Sequence, residues 1–418
     1  MSKELSEQIK QNLDNPKEVE KLYRENTSIF KRDFNLIYPD IQQNPAAQFW
    51  YERLNFEHES ISWGTKGDLW FVILASLVAG LIAKIPEFFT VNADFFYARN
   101  IGFIVFPILI TYFSWKQKIS LKKGLGVAAA LLVAVSFINL FPDDLSSDTL
   151  ILSCIHLPLF LWALTGFVFI GNEARSSKKR LDFLRYNGDL VVMTTIIVIA
   201  GILLTFITLW LFEQIGTDIS DFYIDYIVVF GLSASPIVGT YLVQHNPQLV
   251  NKVSPVIAKV FTPLVLIMLA FYLVAVLSAG SDPYNDREFL LLFNLLLIGV
   301  MAIILFSIAE RSKQNEGKLG LVLLTALSLL TIVVNGIALS AIIFRISEWG
   351  ITPNRLAVLG GNILILLNLM LVSFNLFKTL QNKKEIEHVE NSIAKFLPIY
   401  SLWTIIVAFV FPLLFSFQ

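Results

Sequence analysis

The chain has 418 residues, of which 55% are hydrophobic and only 16% charged, and its mean hydropathy is +0.66. This composition excludes a water-soluble globule of ordinary make-up. A formal net charge of -1 disfavours nucleic acid as a partner, because nucleic-acid-binding domains usually carry a basic excess. The single cysteine, Cys154, excludes an intrachain disulfide and a cysteine-only metal site.

Residues 1–62 form a charged segment ahead of the first long apolar run. Asn15 and Pro16 predict the start of an amphipathic helix that ends before Pro39, and a shorter helix is predicted after Pro45. We expect a cytoplasmic helical arm whose apolar stripe needs a surface to cover it. Two surfaces remain open, the membrane domain and a cytoplasmic partner protein, and the stripe includes Phe30, Phe34, Trp50 and Tyr51.

Residues 63–418 contain repeated apolar runs long enough to cross a bilayer, which predicts an all-α polytopic transmembrane bundle. We expect eleven spans, near 69–88, 97–115, 121–141, 149–171, 189–212, 223–244, 257–279, 288–308, 319–344, 356–377 and 396–417.

The charges in the connecting loops predict the orientation of these spans. Loops after even-numbered spans hold seventeen Lys and Arg residues, whereas loops after odd-numbered spans hold four, Arg99, Arg287, Arg345 and Arg355. Positive loops stay in the cytoplasm. We therefore expect a multi-pass inner-membrane protein with a cytoplasmic N-terminus and a periplasmic C-terminus.

A faint internal repeat is also present. Gly67-Asp68-Leu69 opens the first span and Gly188-Asp189-Leu190 opens the fifth, and similar residues recur in the ninth. The pattern predicts parallel copies over 67–187, 188–317 and 318–418, with four, four and three spans. Chance similarity among apolar residues is the alternative.

The turn after the ninth span concentrates polar residues of interest. Its candidate site residues are Arg345, Glu348, Trp349, Thr352 and Arg355. The repeat adds Glu213, which occupies the matching place after the fifth span. One interpretation is a local ion pair that shapes the turn. The other is a site for an anionic headgroup or solute at the outer surface, with Trp349 anchoring the turn at the interface.

The same stretch, Glu348-Trp-Gly-Ile-Thr-Pro-Asn-Arg355, resembles the signature of a bacterial multi-pass family known only as a domain of unknown function, number four-one-five-three. The hydrophobic layout is similar over most of residues 68–417. The resemblance implies an integral membrane protein of the bacterial envelope and brings no activity, cofactor or catalytic residue.

Inside the spans, His156, Asn335 and Asn362 are candidates for lining a polar path, although interhelical hydrogen bonding is the commoner use of such residues. The sequence contains no His-Glu-x-x-His, no Gly-x-Ser-x-Gly and no phosphate-binding glycine-rich loop. We therefore expect no catalytic residue, cofactor or metal. The favoured function is transporter-like handling of a lipid or small solute. The alternatives are a sensor or scaffold signalling through the arm, and a membrane-embedded enzyme using Glu213 and Glu348.

Overall fold

The structure is a computed structural model that describes residues 2–25, 27–55, 62–144, 146–173, 176–214, 217–247, 249, 253–278, 284, 287–311, 318–381 and 386–418. All regular structure in these ranges is helical, and it comprises sixteen helices. The chain divides into two compact units, Met1–Ser62 and Trp63–Gln418. Arg175, Lys252, Lys313, Lys383 and Lys384, counted above among the positive loop residues, lie outside the described ranges.

The first unit contains helices α1 (Ser2–Asn12), α2 (Pro16–Glu25), α3 (Thr27–Ile41) and α4 (Pro45–Asn55). The predicted helix was expected to end before Pro39, but α3 continues through that proline to Ile41. Proline lacks the backbone N–H that would donate to the fourth residue before it, and at Pro39 this loss is confined to the last turn of α3.

The apolar stripe of this arm lies in a core of its own. Phe30 and Phe34 are fully buried and Trp50 is 4% exposed, among side chains of all four helices. The expectation that these residues need the membrane domain or a partner to cover them was wrong. The reason is that α1, a helix that the sequence pattern did not predict, contributes Ile9 to the core, and Leu13 in the turn after α1 also lies in it.

The second unit begins with α5 (Lys66–Ala83), the short α6 (Ile85–Phe88), α7 (Ala93–Lys116), α8 (Leu121–Leu140) and α9 (Asp148–Phe169). It continues with α10 (Ser177–Gln214), α11 (Ser220–His245), α12 (Val253–Ser278) and α13 (Arg287–Arg311). The last three helices are α14 (Lys318–Trp349), α15 (Pro353–Leu380) and α16 (Ile386–Leu414).

Within the described residues, nine of these helices are long and apolar enough to cross a membrane, namely α5, α7 to α11 and α14 to α16. Helices α12 and α13 contain shorter apolar stretches, Lys259–Phe271 and Phe293–Ala309. The chain is therefore a multi-pass helical membrane protein by composition.

Several helix ends differ from the predicted spans, and the end of α5 and the start of α10 are two of them. The first span was expected to reach residue 88, but α5 ends at Ala83 and Pro86 sits in the first turn of α6. The fifth was expected from residue 189, yet α10 begins at Ser177. Hydropathy locates the apolar part of a helix, and a polar extension such as that of α10 leaves no hydropathy signal.

Segments of the second unit that are far apart in the sequence form polar contacts at both ends of the unit. At one end, Arg99 Nη2 lies 2.9 Å from Asp143 Oδ1, and the backbone N–H of Thr149 donates to Gln418 O at 2.9 Å. At the other end, Lys116 on α7 meets Asp68 on α5. The C-terminus and the loop at Asp143 therefore lie on the same side of the helix bundle.

Candidate functional site

The turn between α14 and α15 is built from backbone capping. Gly350 ends α14 with φ of +79°, a left-handed conformation that favours glycine. Thr352 caps α15, its Oγ1 accepting a hydrogen bond from the N–H of Arg355 at 3.3 Å, and Pro353 occupies the first turn. The sequence Gly-Ile-Thr-Pro thus ends one helix and starts the next.

The two arginines of this turn gather around Trp349. Arg355 Nη1 donates to the carbonyl oxygens of Trp349 and Gly350 at 2.8 and 2.7 Å. The guanidinium carbons of Arg345 and Arg355 lie 5.2 and 5.7 Å from the Trp349 ring centroid. Arg355 therefore satisfies the last carbonyl of α14 and that of Gly350 directly after it, where a cation also complements the helix dipole.

The two glutamates among the candidate site residues make fewer contacts than the arginines. Glu348 and Glu213 are both exposed, and neither forms an ion pair with a residue that the structure describes. Of the two interpretations of the turn, the geometry favours local shaping for Arg355, although through backbone carbonyls and not through Glu348.

His156 in α9 forms a local contact. Its Nδ1 donates to the carbonyl oxygen of Leu152 at 2.9 Å, one turn earlier in the same helix. Pro158 has no backbone N–H, so the carbonyl that lacks its helical partner belongs to Cys154, four residues earlier, and His156 bonds a different carbonyl.

Polar side chains form a series of interhelical pairs inside α13 to α16, which we call the polar ladder. Its pairs are Asn362–Asn294 (2.8 Å), Asn368–Tyr400 (3.0 Å), Ser373–Ser328 (2.9 Å) and Asn375–Ser392 (2.6 Å). Along α15 the ladder covers residues 362 to 375, about 20 Å at 1.5 Å per residue. Asn362 thus has the interhelical bond that was the commoner expectation.

Asn335 lies on α14 beside this ladder and differs from its members. It is fully buried, and neither Oδ1 nor Nδ2 has a hydrogen-bond partner in the described part of the chain. Asn368 is also fully buried, and its Oδ1 is likewise unpaired among those residues. An amide atom without a hydrogen-bond partner raises the free energy of the folded protein in a hydrocarbon environment. Such atoms are rare in proteins, so both positions are unusual.

A cavity of about 480 Å³ lies between α9, α10 and α16. Its walls are almost entirely apolar, and they include Phe160, Ala163, Phe167, Phe183, Leu397 and Leu402. Phe167 and Leu402 are 43% and 57% exposed, so the cavity borders the outer surface of the bundle, where the acyl chains of lipids lie. Sequence patterns carry no signal for this cavity, because its walls come from helices far apart in the chain.

One cation lines this cavity, and a second contacts Phe167 in its wall. Arg180 lines the cavity, and its Nη1 donates to Ala394 O at 3.1 Å. Lys123 Nζ donates to Phe167 O at 2.9 Å and also to Gly171 O, and it lies 4.0 Å from the Phe167 ring centroid. An apolar cavity with a positive charge in its wall has the chemistry to bind an amphiphile with an anionic head group.

The sequence analysis did not identify a buried polar cluster at the start of α5 as a candidate site. Asp68 is 3% exposed, its Oδ1 lies 2.5 Å from Lys116 Nζ, and its Oδ2 lies 3.1 Å from His245 Nε2. Thr65 completes a capping box with Asp68. The recurrence of Gly-Asp-Leu at spans one and five was the available signal, and it was used only as evidence for the repeat.

Two loop carboxylates at positions 144 and 218 are held in the same way. The N–H and hydroxyl of Ser146 donate to Asp144 Oδ1, and those of Ser220 donate to Asp218 Oδ1. These hydrogen bonds, the hydroxyl one foremost, lower the pKa of both carboxyl groups below the usual value. Both loops therefore keep their negative charge in mildly acidic surroundings.

Comparison with known proteins adds no assignment. No family model, no curated protein and no solved structure matches the chain. Among the described residues, no group of three or more His, Cys, Asp or Glu side chains is placed to hold a metal ion.

Proposed function

We propose that this membrane protein binds and handles an anionic membrane lipid in the cavity between α9, α10 and α16. The observation that carries the proposal is the cavity itself, about 480 Å³ of apolar space with Arg180 in its wall. Acyl chains fit such walls because burial of apolar surface is favourable without directional contacts. The guanidinium offers charge-assisted hydrogen bonds to a phosphate or carboxylate head.

The position of the cavity supports a lipid over a water-soluble solute. Exposed Phe167 and Leu402 border the cavity on the side where lipid acyl chains lie, so a lipid can enter without crossing water. The wall holds few polar groups, whereas a site for a polar solute needs several that converge.

Lipid retention tests this proposal. Ala163→Trp places a large ring in the cavity, whereas Ile155→Trp adds the same ring to the lipid-facing surface of α9, where Ile155 is 57% exposed. The proteins are purified in mild detergent, and their bound lipids are extracted and quantified. We expect Ala163→Trp to lose bound anionic lipid and Ile155→Trp to keep it. Equal lipid content in the two folded variants overturns the proposal.

Selectivity for the head is tested at Arg180. Arg180→Gln removes the cation in the cavity wall, and Lys178→Gln removes an exposed cation on the same helix. We expect Arg180→Gln to abolish the preference for phosphatidylglycerol over phosphatidylcholine in lipid exchange, and Lys178→Gln to preserve it. A preference that survives Arg180→Gln contradicts the assigned role of the guanidinium.

The proposal includes the orientation predicted from loop charge, with eleven spans, a cytoplasmic arm and a periplasmic C-terminus. Cysteine labelling tests it in a Cys154→Ser background with Ser146→Cys and Lys178→Cys, since both positions are exposed. An impermeant reagent, applied to cells with a permeabilised outer membrane, is expected to label position 146, and position 178 only after lysis. The reverse pattern inverts the orientation.

The internal repeat and the family membership are part of the same proposal. The aspartates of the two Gly-Asp-Leu segments, Asp68 and Asp189, are both buried, at 3% and 5% exposure, which supports the repeat, although Asp68 lies in the first turn of α5 and Asp189 in the interior of α10. Membership of the multi-pass family rests on the residues from Glu348 to Arg355 and on the similar hydrophobic layout over most of residues 68–417.

A second candidate function is docking of a cytoplasmic protein on the arm. The observation in its favour is that two large apolar side chains, Leu36 and Phe49, are 70% and 63% exposed although the arm has a complete core. A partner that co-purifies with the full chain and is lost in Phe49→Ser, while bound lipid is unchanged, supports this function. Retention of such a partner by Phe49→Ser contradicts it.

A further inference from the structure

The middle of the α14–α15 pair holds polar atoms that the protein itself leaves unpaired. Asn335 and Asn368 are both fully buried, and three of their four amide atoms have no hydrogen-bond partner among the described residues. The fourth, Asn368 Nδ2, donates to Tyr400 at 3.0 Å. This region contrasts with the rest of the polar ladder, whose side chains are bonded across the helix interfaces.

The two amides lie at the same depth. Asn335 is fourteen residues before Trp349, the end of α14, and Asn368 is fifteen residues after Pro353, the start of α15. At 1.5 Å per residue they lie about 21 Å and about 22.5 Å from the connecting turn. The Ser328–Ser373 hydrogen bond of 2.9 Å, nearer the other end, fixes this antiparallel register.

The chemistry of the unpaired atoms limits what can bind there. Asn335 Nδ2 needs an acceptor, whereas Asn335 Oδ1 and Asn368 Oδ1 need donors. A bare metal cation satisfies the oxygens and leaves Nδ2 unpaired. A neutral molecule that both donates and accepts hydrogen bonds satisfies all three atoms, and water is the smallest such molecule.

We propose that the level of Asn335 and Asn368 is a hydrated site within the membrane, where bound water forms hydrogen bonds with the amide atoms that the protein leaves unpaired. The water completes the polar ladder between Asn294–Asn362 on the turn side and Asn375–Ser392 on the opposite side. The result is a polar route through α13 to α16 that is separate from the lipid cavity. The inference does not depend on the lipid proposal.

Proton-detected solid-state NMR of the full chain in lipid bilayers tests the site. The protein is labelled with ¹⁵N at asparagine, and magnetisation transfer from water to each side-chain amide is measured. The Asn335 signal is assigned by its loss in Asn335→Ser or Asn335→Leu, either of which suffices. Asn100 is the internal control, because it is 5% exposed and its Nδ2 is bonded to Phe96 O and to Asn139.

We expect magnetisation to reach Asn335 Nδ2 from water severalfold faster than it reaches Asn100 Nδ2. A transfer rate for Asn335 no faster than that for Asn100 overturns the proposal. A shift of the Asn335 signal on exchange of sodium for N-methylglucamine, without fast transfer from water, also overturns it and indicates a cation instead.

Discussion

Arg355 donates a hydrogen bond from Nη1 to the carbonyl oxygen of Trp349 at 2.8 Å, and so closes the end of the preceding helix. A second bond from the same atom reaches Gly350 O at 2.7 Å. Because the acceptors are the last carbonyl of α14 and the carbonyl of the glycine after it, Arg355 stabilises the backbone of the turn.

Arg355→Gln is expected to lower the free energy of unfolding by about 1 kcal/mol, since it removes charge-assisted bonds at a partly exposed position. Glu348→Gln is the matched control, because Glu348 is exposed and is expected to contribute little. Thermal unfolding in detergent measures both. A larger loss from Glu348→Gln than from Arg355→Gln contradicts the capping role.

Asp68→Asn tests the buried cluster that joins α5, α7 and α11. The substitution removes the charge that faces Lys116 and His245. We expect a loss of about 2 kcal/mol in stability, below the usual cost of breaking a buried pair because the Lys116 side chain is 35% exposed. Asp94→Asn, at an exposed position in the first turn of α7, is expected to have a much smaller effect on unfolding.

Gly360→Ala tests the contact between α15 and α16. A Cβ added at Gly360 would lie 2.1 Å from Cζ2 of Trp403. A Cβ added at Gly361 would come no closer than 3.9 Å to that side chain. We expect Gly360→Ala to destabilise by about 1 to 3 kcal/mol through overpacking, and Gly361→Ala to be nearly neutral. Equal melting temperatures for the two variants contradict this close approach of the two helices.

The carboxyl group of Glu20 gives a pH-dependent prediction. Its hydrogen bond to Arg24, followed by its bond to Arg53, lowers the pKa of Glu20 below the usual 4.5. The contribution to arm stability is therefore present above the unfolded-state pKa and is lost as the pH falls through the lowered value. Nuclear magnetic resonance titration is expected to show this lowered pKa and its return toward 4.5 in Arg24→Gln. An unchanged titration in that variant refutes the assigned cause.

Periodicity and hydropathy predicted the helical class and the regions of the long apolar helices, because those properties depend on local composition. They did not predict the arm's own core, since burial of Phe30 depends on α1 and α4 meeting in three dimensions. The same limit applies to Asn335. Its type and place in an apolar run identified it as a polar residue of interest, but only the packing shows that its amide has no partner among the described residues.

The most direct test of the lipid proposal is to map where a bound lipid lies. Phosphatidylglycerol with a photoactivatable acyl chain is incorporated into bilayers with the wild-type protein, irradiated, and the adducts are located by peptide mass spectrometry. We expect adducts to concentrate at the cavity walls, near Phe167 and Leu402, and to decrease with excess unlabelled phosphatidylglycerol but not with phosphatidylcholine. Adducts spread equally over lipid-facing residues such as Leu203 and Phe271, which are 59% and 73% exposed, contradict the account.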